Sequence, residues 1–151
     1  MIENKLFNSN MELLLRSMLV LSKYSNLNID QIAEIDFKAT YGFYFGIADE
    51  NLHGDNEFGL QEYSLRRKKI SDAVMNGALR GVISYKEIEN QGYLYSLSSK
   101  GNRVISKFDS EDLYFTEYRK EIEKIDIPAA DESTYFLERI EDKLWVRDFE
   151  E

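Results

Sequence analysis

The sequence predicts an α+β fold that is mainly α, and three features of its middle third predict it. A basic helix over residues 63–80 ends at Gly81, where a left-handed cap costs glycine little. Residues 82–88 and 92–97 are rich in β-branched and aromatic side chains and are joined by a short turn, as in a β-hairpin. Residues 98–101 then break the second strand before another helix. Helix, hairpin and helix in this order are typical of a winged helix-turn-helix domain.

Two helices are expected before the basic helix. Ser9 and Glu12 have the spacing of a capping box, which predicts a helix over residues 10–23. Asn28 and Gln31 repeat that spacing and predict a second helix over residues 29–41. Each helix has one apolar face, formed by Met11, Leu14, Leu15, Met18 and Leu19 in the first and by Ile29, Ile32, Ala33 and Phe37 in the second.

A long loop separates the second predicted helix from the third. Residues 42–60 are aromatic at their start, with Phe43, Tyr44 and Phe45, and are polar and turn-rich afterwards. Loops of this length inside a domain are usually functional or disordered, and the aromatic residues favour order. We predict that these three side chains bind a partner protein, with contact to the chain's own core as the alternative.

The last part of the chain begins with an extra helix. Asp109 can cap a helix over residues 109–125, and Pro128, the single proline, ends that unit. We therefore divide the chain into a winged-helix domain, residues 1–125, and an acidic, aromatic C-terminal tail, residues 126–151.

Three large aromatic residues mark the tail: Phe136, Trp145 and Phe149. Such rings are costly to expose to water, and aromatic residues are favoured as anchors of protein interfaces. We predict that they bind a partner, and docking onto the chain's own domain is the alternative.

Composition disfavours a free-standing DNA-binding protein. The formal net charge is −9 and the isoelectric point is about 4.7, whereas neutralising phosphates requires Lys and Arg. The chain has no cysteine, which excludes disulfides, thiolate metal sites and a cysteine nucleophile. The N-terminus lacks a signal-peptide core, and no segment is apolar enough to span a bilayer. We expect a soluble, cytoplasmic protein without membrane contact.

One helix departs from this acidic balance. Residues 63–86 contain six Lys and Arg residues against one Asp, a local charge of +5. Four of the cations are consecutive, Arg66, Arg67, Lys68 and Lys69, and lie in the helix that enters the major groove in helix-turn-helix proteins. Because the side chains of consecutive residues point in different directions around a helix, only some of these four cations can face one phosphate backbone. Nucleic acid, a partner protein and the chain's own carboxylates all remain possible counterparts.

The sequence carries no signature of catalysis. His53 is the single histidine, and no second histidine and no cysteine can join it as a metal ligand. We interpret it as a structural residue of the loop. Neither a glycine-rich phosphate loop nor a nucleophile elbow is present. We therefore predict no catalytic residue, no metal, no cofactor and no small-molecule substrate.

Four short motifs occur in a fixed order along the chain. They are the opening helix with Ser9, Glu12 and Arg16, the step Ile35-Asp36-Phe37, the loop Glu50-Asn51-Leu52-His53, and the Leu65-Arg66-Arg67 helix that ends in Arg80-Gly81-Val82. In this order they resemble the middle component of bacterial ABC-three component systems, the small accessory subunit of Lamassu-type defence operons. The resemblance covers residues 7–108.

This resemblance implies a function that the residues alone do not. It implies a non-enzymatic adaptor that bridges an SMC-like, Rad50-related ATPase and a nuclease-type effector in an anti-phage and anti-plasmid complex. If the chain is such an adaptor, most of its acidic surface binds partner proteins, and the basic helix is the element that could contact DNA inside the complex. The alternative is a free-standing winged-helix transcriptional regulator that binds DNA as a dimer through residues 109–125.

Overall fold

The structure is a computed structural model that describes residues 9–41, 60–90, 92–108, 113–136 and 138. Over these residues the chain is mainly helical with one two-stranded antiparallel sheet, which confirms the predicted α+β, mainly α class. The elements in chain order are α1 (Asn10–Lys23), α2 (Ile29–Thr40), α3 (Leu60–Leu79), β1 (Ile83–Ile88), β2 (Gly92–Leu97), α4 (Ser99–Phe108), α5 (Leu113–Glu123) and α6 (Ala130–Thr134). No helix in this described part is long and apolar enough to cross a membrane.

The first two helices begin at the caps that the sequence predicts. The Glu12 N–H donates to Ser9 Oγ at 3.1 Å. At α2 the cap is reciprocal, since the Gln31 N–H donates to Asn28 Oδ1 at 2.8 Å and the Asn28 N–H donates to Gln31 Oε1 at 2.9 Å. Helix α1 has its predicted bounds, and α2 ends one residue early because Tyr41 is its C-cap.

The hairpin follows α3 with antiparallel pairing from Ile83↔Leu97 to Ile88↔Gly92. The turn between α1 and α2 adds one more bridge to this sheet. There the Leu27 N–H donates to the Tyr95 carbonyl at 3.1 Å, and the Tyr95 N–H donates to the Leu27 carbonyl at 2.8 Å. The base of the hairpin is therefore attached to the helical core as well as to α3.

The core lies between α1, α2 and α3, with Phe37 near its centre. Its ring lies 5.2 Å from that of Tyr63 and 6.2 Å from that of Phe136, centroid to centroid. Residues after α5 are also fastened to α2. Gln31 Nε2 donates to the Pro128 carbonyl at 2.8 Å, and Ser133 Oγ donates to Glu34 Oε1 at 3.0 Å. The segment that carries α6 thus contributes to the same core.

Two glycines allow close contact between elements. A Cβ on Gly101 in α4 would lie 2.1 Å from the Val82 carbonyl oxygen. A Cβ on Gly77 in α3 would lie 2.8 Å from Leu14 Cδ1 and from Ile83 Cδ1. The first obstacle is backbone and cannot move alone, whereas the second consists of the far ends of flexible side chains.

We predict that Gly101→Ala lowers the free energy of unfolding by about 2 kcal/mol or more, because overpacking outweighs the gain in helix propensity. Gly77→Ala is the matched control, another helical glycine whose neighbours can shift, and should cost less. Urea denaturation of the two variants measures the difference. Equal stability of both variants would contradict the backbone contact at Gly101.

Candidate partner-binding surface

The four consecutive cations of α3 point in four directions, since successive helical residues are about 100° apart. Arg66 is only 3% exposed and points into the core. Arg67 forms an ion pair with Asp30 in α2. Lys69 is half-buried, and Lys68 is exposed. The structure therefore does not gather the predicted cations into one basic patch.

Arg66 is bound by the protein itself. Its Nη1 donates to Thr40 Oγ1 at 2.7 Å, and its Nη2 donates to Glu62 Oε1 at 2.9 Å. Nη1 also lies 3.8 Å from Asp36 Oδ2, and the guanidinium lies 5.2 Å from the centre of the Phe37 ring. A cation that is buried and bound in this way is not available to nucleic acid or to a partner.

A second buried arginine, Arg16, lies beside this site. Its Nε donates to Asp36 Oδ1 at 2.8 Å and its Nη2 to Asp36 Oδ2 at 3.0 Å, a bidentate pair. Its Nη1 donates to both Glu12 oxygens, at 3.2 and 3.3 Å. Tyr118 in α5 donates its hydroxyl to Asp36 Oδ1 at 2.6 Å. Sequence reasoning missed this network, although a charged residue amid the apolar stripe of α1 was a signal for it.

The two carboxylates around Arg16 titrate differently. Burial alone would raise the pKa of Asp36, but the charges of Arg16 and Arg66 hold that pKa below its usual range. Burial raises the pKa of Glu12 from 4.5 to about 7, against the opposing pull of Arg16. Asp36 therefore remains ionised as the counterion of the arginines, and Glu12 is the carboxylate that more readily takes up a proton.

The outward side of α3 and the hairpin carries several large apolar residues as well as charged ones. Leu79 is 86% exposed and Tyr85 is 60% exposed, and Leu65, Met75 and Tyr93 are exposed as well. The Tyr85 and Tyr93 rings form an edge-to-face pair 5.7 Å apart. Between the C-terminal half of α3 and the hairpin lies a cavity of about 330 Å³, here called the tyrosine groove, lined by Met75, Ala78, Leu79, Tyr85, Tyr93 and Tyr95.

The chemistry of the groove suits a protein ligand. Its lining is aliphatic and aromatic, and three of its six lining residues are tyrosines, which combine an apolar ring with a polar hydroxyl. Contiguous exposed apolar residues on a small protein mark interaction sites, and tyrosine is favoured as an anchor in them. Among residues 9–41, 60–90, 92–108 and 113–136, no group of three or more His, Cys, Asp or Glu residues could hold a metal ion.

Comparison with known proteins places the chain in a family. Residues 6–147 match the family described as ABC-three component (ABC-3C) system Middle Component 2. The chain belongs to this family. Comparisons with curated proteins and with solved structures gave no match. As a middle component of a three-component system, the protein has partner subunits.

Five of the other predicted contact residues of this middle component lie outside the described residues: Phe43, Tyr44, Phe45, Trp145 and Phe149. His53, predicted as a structural residue of the loop, also lies outside them. Phe136 is described, and it is buried at 2% exposure. Its ring lies 4.9 Å from that of Tyr63 in an edge-to-face pair. Phe136 therefore packs on the core of its own chain.

We predict that Arg66→Ala lowers the free energy of unfolding by about 3 kcal/mol, because it removes the buried partner of Glu62 and leaves Asp36 with Arg16 as its remaining counterion. The neighbouring Lys68→Ala is the control and should change stability by no more than about 0.5 kcal/mol, as expected of an exposed site. Urea denaturation at low protein concentration measures both. Similar losses in the two variants would contradict the separate roles assigned to these cations.

We also predict a pH dependence that originates at Glu12. Because folding raises its pKa from 4.5 to about 7, its contribution to stability is complete below pH 4.5 and is lost as pH rises through about 7. Glu12→Gln should remove this part of the fall in unfolding free energy across that window, while the exposed Glu123→Gln should retain it. Denaturation series at several pH values give the slopes. An unchanged slope in Glu12→Gln would show that another group is responsible.

Proposed function

We propose that this middle component is a non-enzymatic adaptor of a Lamassu-type anti-phage and anti-plasmid complex. In this role it bridges an SMC-like, Rad50-related ATPase and a nuclease-type effector. The observation that carries the proposal is the tyrosine groove, an exposed apolar surface on a chain whose family works with partner subunits. The groove gives the adaptor a place to bind one of them.

A winged-helix fold is part of this proposal. The order of α1, α2, α3 and the hairpin supports it, and so does the Leu27↔Tyr95 bridge, which acts as a one-residue third strand at the position between the first two helices. Helix-turn-helix proteins read nucleic acid with the outward side of their recognition helix. In this chain the corresponding side carries Leu65, Met75 and Leu79, which favours a protein partner.

Charge supports the adaptor over the free transcriptional regulator. Arg66 and Arg67 bind carboxylates of their own chain, so they do not contribute to phosphate neutralisation. The whole chain carries −9, which repels DNA at long range. A contact with DNA inside the assembled complex would use exposed cations such as Lys68, Lys86 and Arg103.

Co-expression of the complete system tests the groove. The double variant Tyr85→Ser, Tyr93→Ser should remain folded, yet bind at least one partner subunit more weakly by about tenfold or more, because each ring is a potential interface anchor. Tyr135→Ser is the matched control, since Tyr135 is 58% exposed and lies outside the groove. Pull-down of the tagged middle component and phage plating efficiency provide the two readouts.

Three results would contradict the proposal. If the double variant co-purifies with both other subunits as the wild type does, the groove is not a docking site of this adaptor. If the isolated chain binds one DNA sequence tightly and specifically at physiological salt, the regulator describes the protein better. Loss of binding in Tyr135→Ser to the same extent would show that the groove has no special role.

A further inference from the structure

The outward side of α3 has the spacing of a helix–helix interface. Leu65, Lys68, Asp72, Met75 and Leu79 follow one another at intervals of three, four, three and four residues, and all five are exposed. This spacing places side chains in one stripe along a helix, as in coiled coils. These five residues are called the α3 seam below.

The seam is not used inside the described part of the chain. The opposite side of α3 faces the core with Tyr63, Arg66, Ile70, Ala73 and Val74, all of them buried. Helix α3 therefore carries apolar residues on two opposite sides, and only one of these sides is covered there. A surface helix with a single core contact normally has a polar outer face, so exposed Leu65, Met75 and Leu79 call for an occupant.

The order of residues in the seam points to that occupant. Its two charged residues, Lys68 and Asp72, are adjacent within the stripe, and an apolar residue lies on either side of them. We propose that a second copy of this chain docks on the seam with its α3 antiparallel to the first. Lys68 then faces Asp72 of the second copy, Asp72 faces Lys68 of the second copy, and Leu65 faces Met75 at each end.

Symmetry explains why this pairing is specific. A two-fold axis between Lys68 and Asp72 forms both ion pairs at once, as an isologous dimer requires. Parallel pairing in register would place Lys68 on Lys68 and Asp72 on Asp72, which is repulsive. A helix of unrelated sequence would bind the seam only if it carried matching charges at the right spacing. A second copy of this chain carries them already, because Lys68 and Asp72 are each other's counterparts in the antiparallel arrangement.

Size and solvent exposure determine how strong the dimer is. The seam spans about four turns of one helix, which corresponds to the low end of the range of specific interfaces. Its central ion pairs lie near solvent, where salt screens them. We therefore expect a dimer that depends on protein concentration and weakens as salt is raised. Met75 and Leu79 belong both to the seam and to the lining of the tyrosine groove, whereas Lys68 and Asp72 belong to the seam alone. The dimer therefore goes beyond the adaptor role, does not require it, and is tested at these two residues, which the groove does not use.

Sedimentation velocity of the full-length chain, over a series of concentrations, tests the dimer through charge reversal. Lys68→Glu places acid opposite acid at both central positions, and Asp72→Lys places base opposite base. Each variant alone should dimerise at least about tenfold more weakly, because two attractive pairs become repulsive. An equimolar mixture of the two variants should dimerise again, since each central pair then joins an acid of one copy to a base of the other. The double variant Lys68→Glu, Asp72→Lys should also recover the wild-type dimer.

Recovery in the mixture is the decisive result, since a partner interface of another kind would not produce it. Circular dichroism of each variant verifies that it is folded. A wild type that remains monomeric across the series overturns the proposal. So does a dimer that either reversal leaves intact, because it must use another surface. If the reversals impair only co-purification with the other subunits, the occupant of the seam is a partner helix, and the adaptor role stands while the dimer does not.

Discussion

The buried pair between Arg16 and Asp36 is the interaction on which the arrangement of the helices depends. It joins α1 to α2 with two hydrogen bonds, and α5 reaches the same carboxylate through Tyr118. Arg66 adds α3 from the other side. A buried pair of this kind contributes little net stability, because desolvation offsets the attraction, yet losing one partner is costly. We infer that the network favours one relative placement of four helices over others that would bury equal apolar area.

The rotation of α3 about its own axis follows from this network. Arg66 must face Asp36 and Glu62, so the side of the helix opposite Arg66 must face solvent. That side carries Leu65, Met75 and Leu79. The same constraint that places one cation in the core thus presents an apolar surface outside. A basic run in the sequence becomes, in three dimensions, a helix with one buried arginine, one arginine paired with Asp30, and exposed apolar residues beside Lys68 on its outer side.

Local features were predictable because they depend on neighbours in sequence. The caps at Ser9 and Asn28 and the hairpin around Asn90 and Gly92 need only a few adjacent residues, and the structure has them where the sequence places them. Strand geometry also predicts that tyrosines two residues apart in a strand lie on the same face of the sheet. The tyrosine groove could not be predicted in this way, because it depends on the distance between α3 and the hairpin. That distance is determined by contacts between residues that are far apart in the sequence.

The sequence by itself determined the element types, their order, the acidic balance and the family to which the chain is similar. Only the tertiary structure decided which charges are counterions and which are surface. Arg66 and Lys68 are two residues apart in one helix and both carry a positive charge, yet Arg66 is bound in the core and Lys68 is exposed. Likewise Phe136 became a core residue because α2 and α3 leave a space beside Phe37 and Tyr63. The reason is physical: burial and pairing are properties of the space around a side chain, and that space is built by distant parts of the chain.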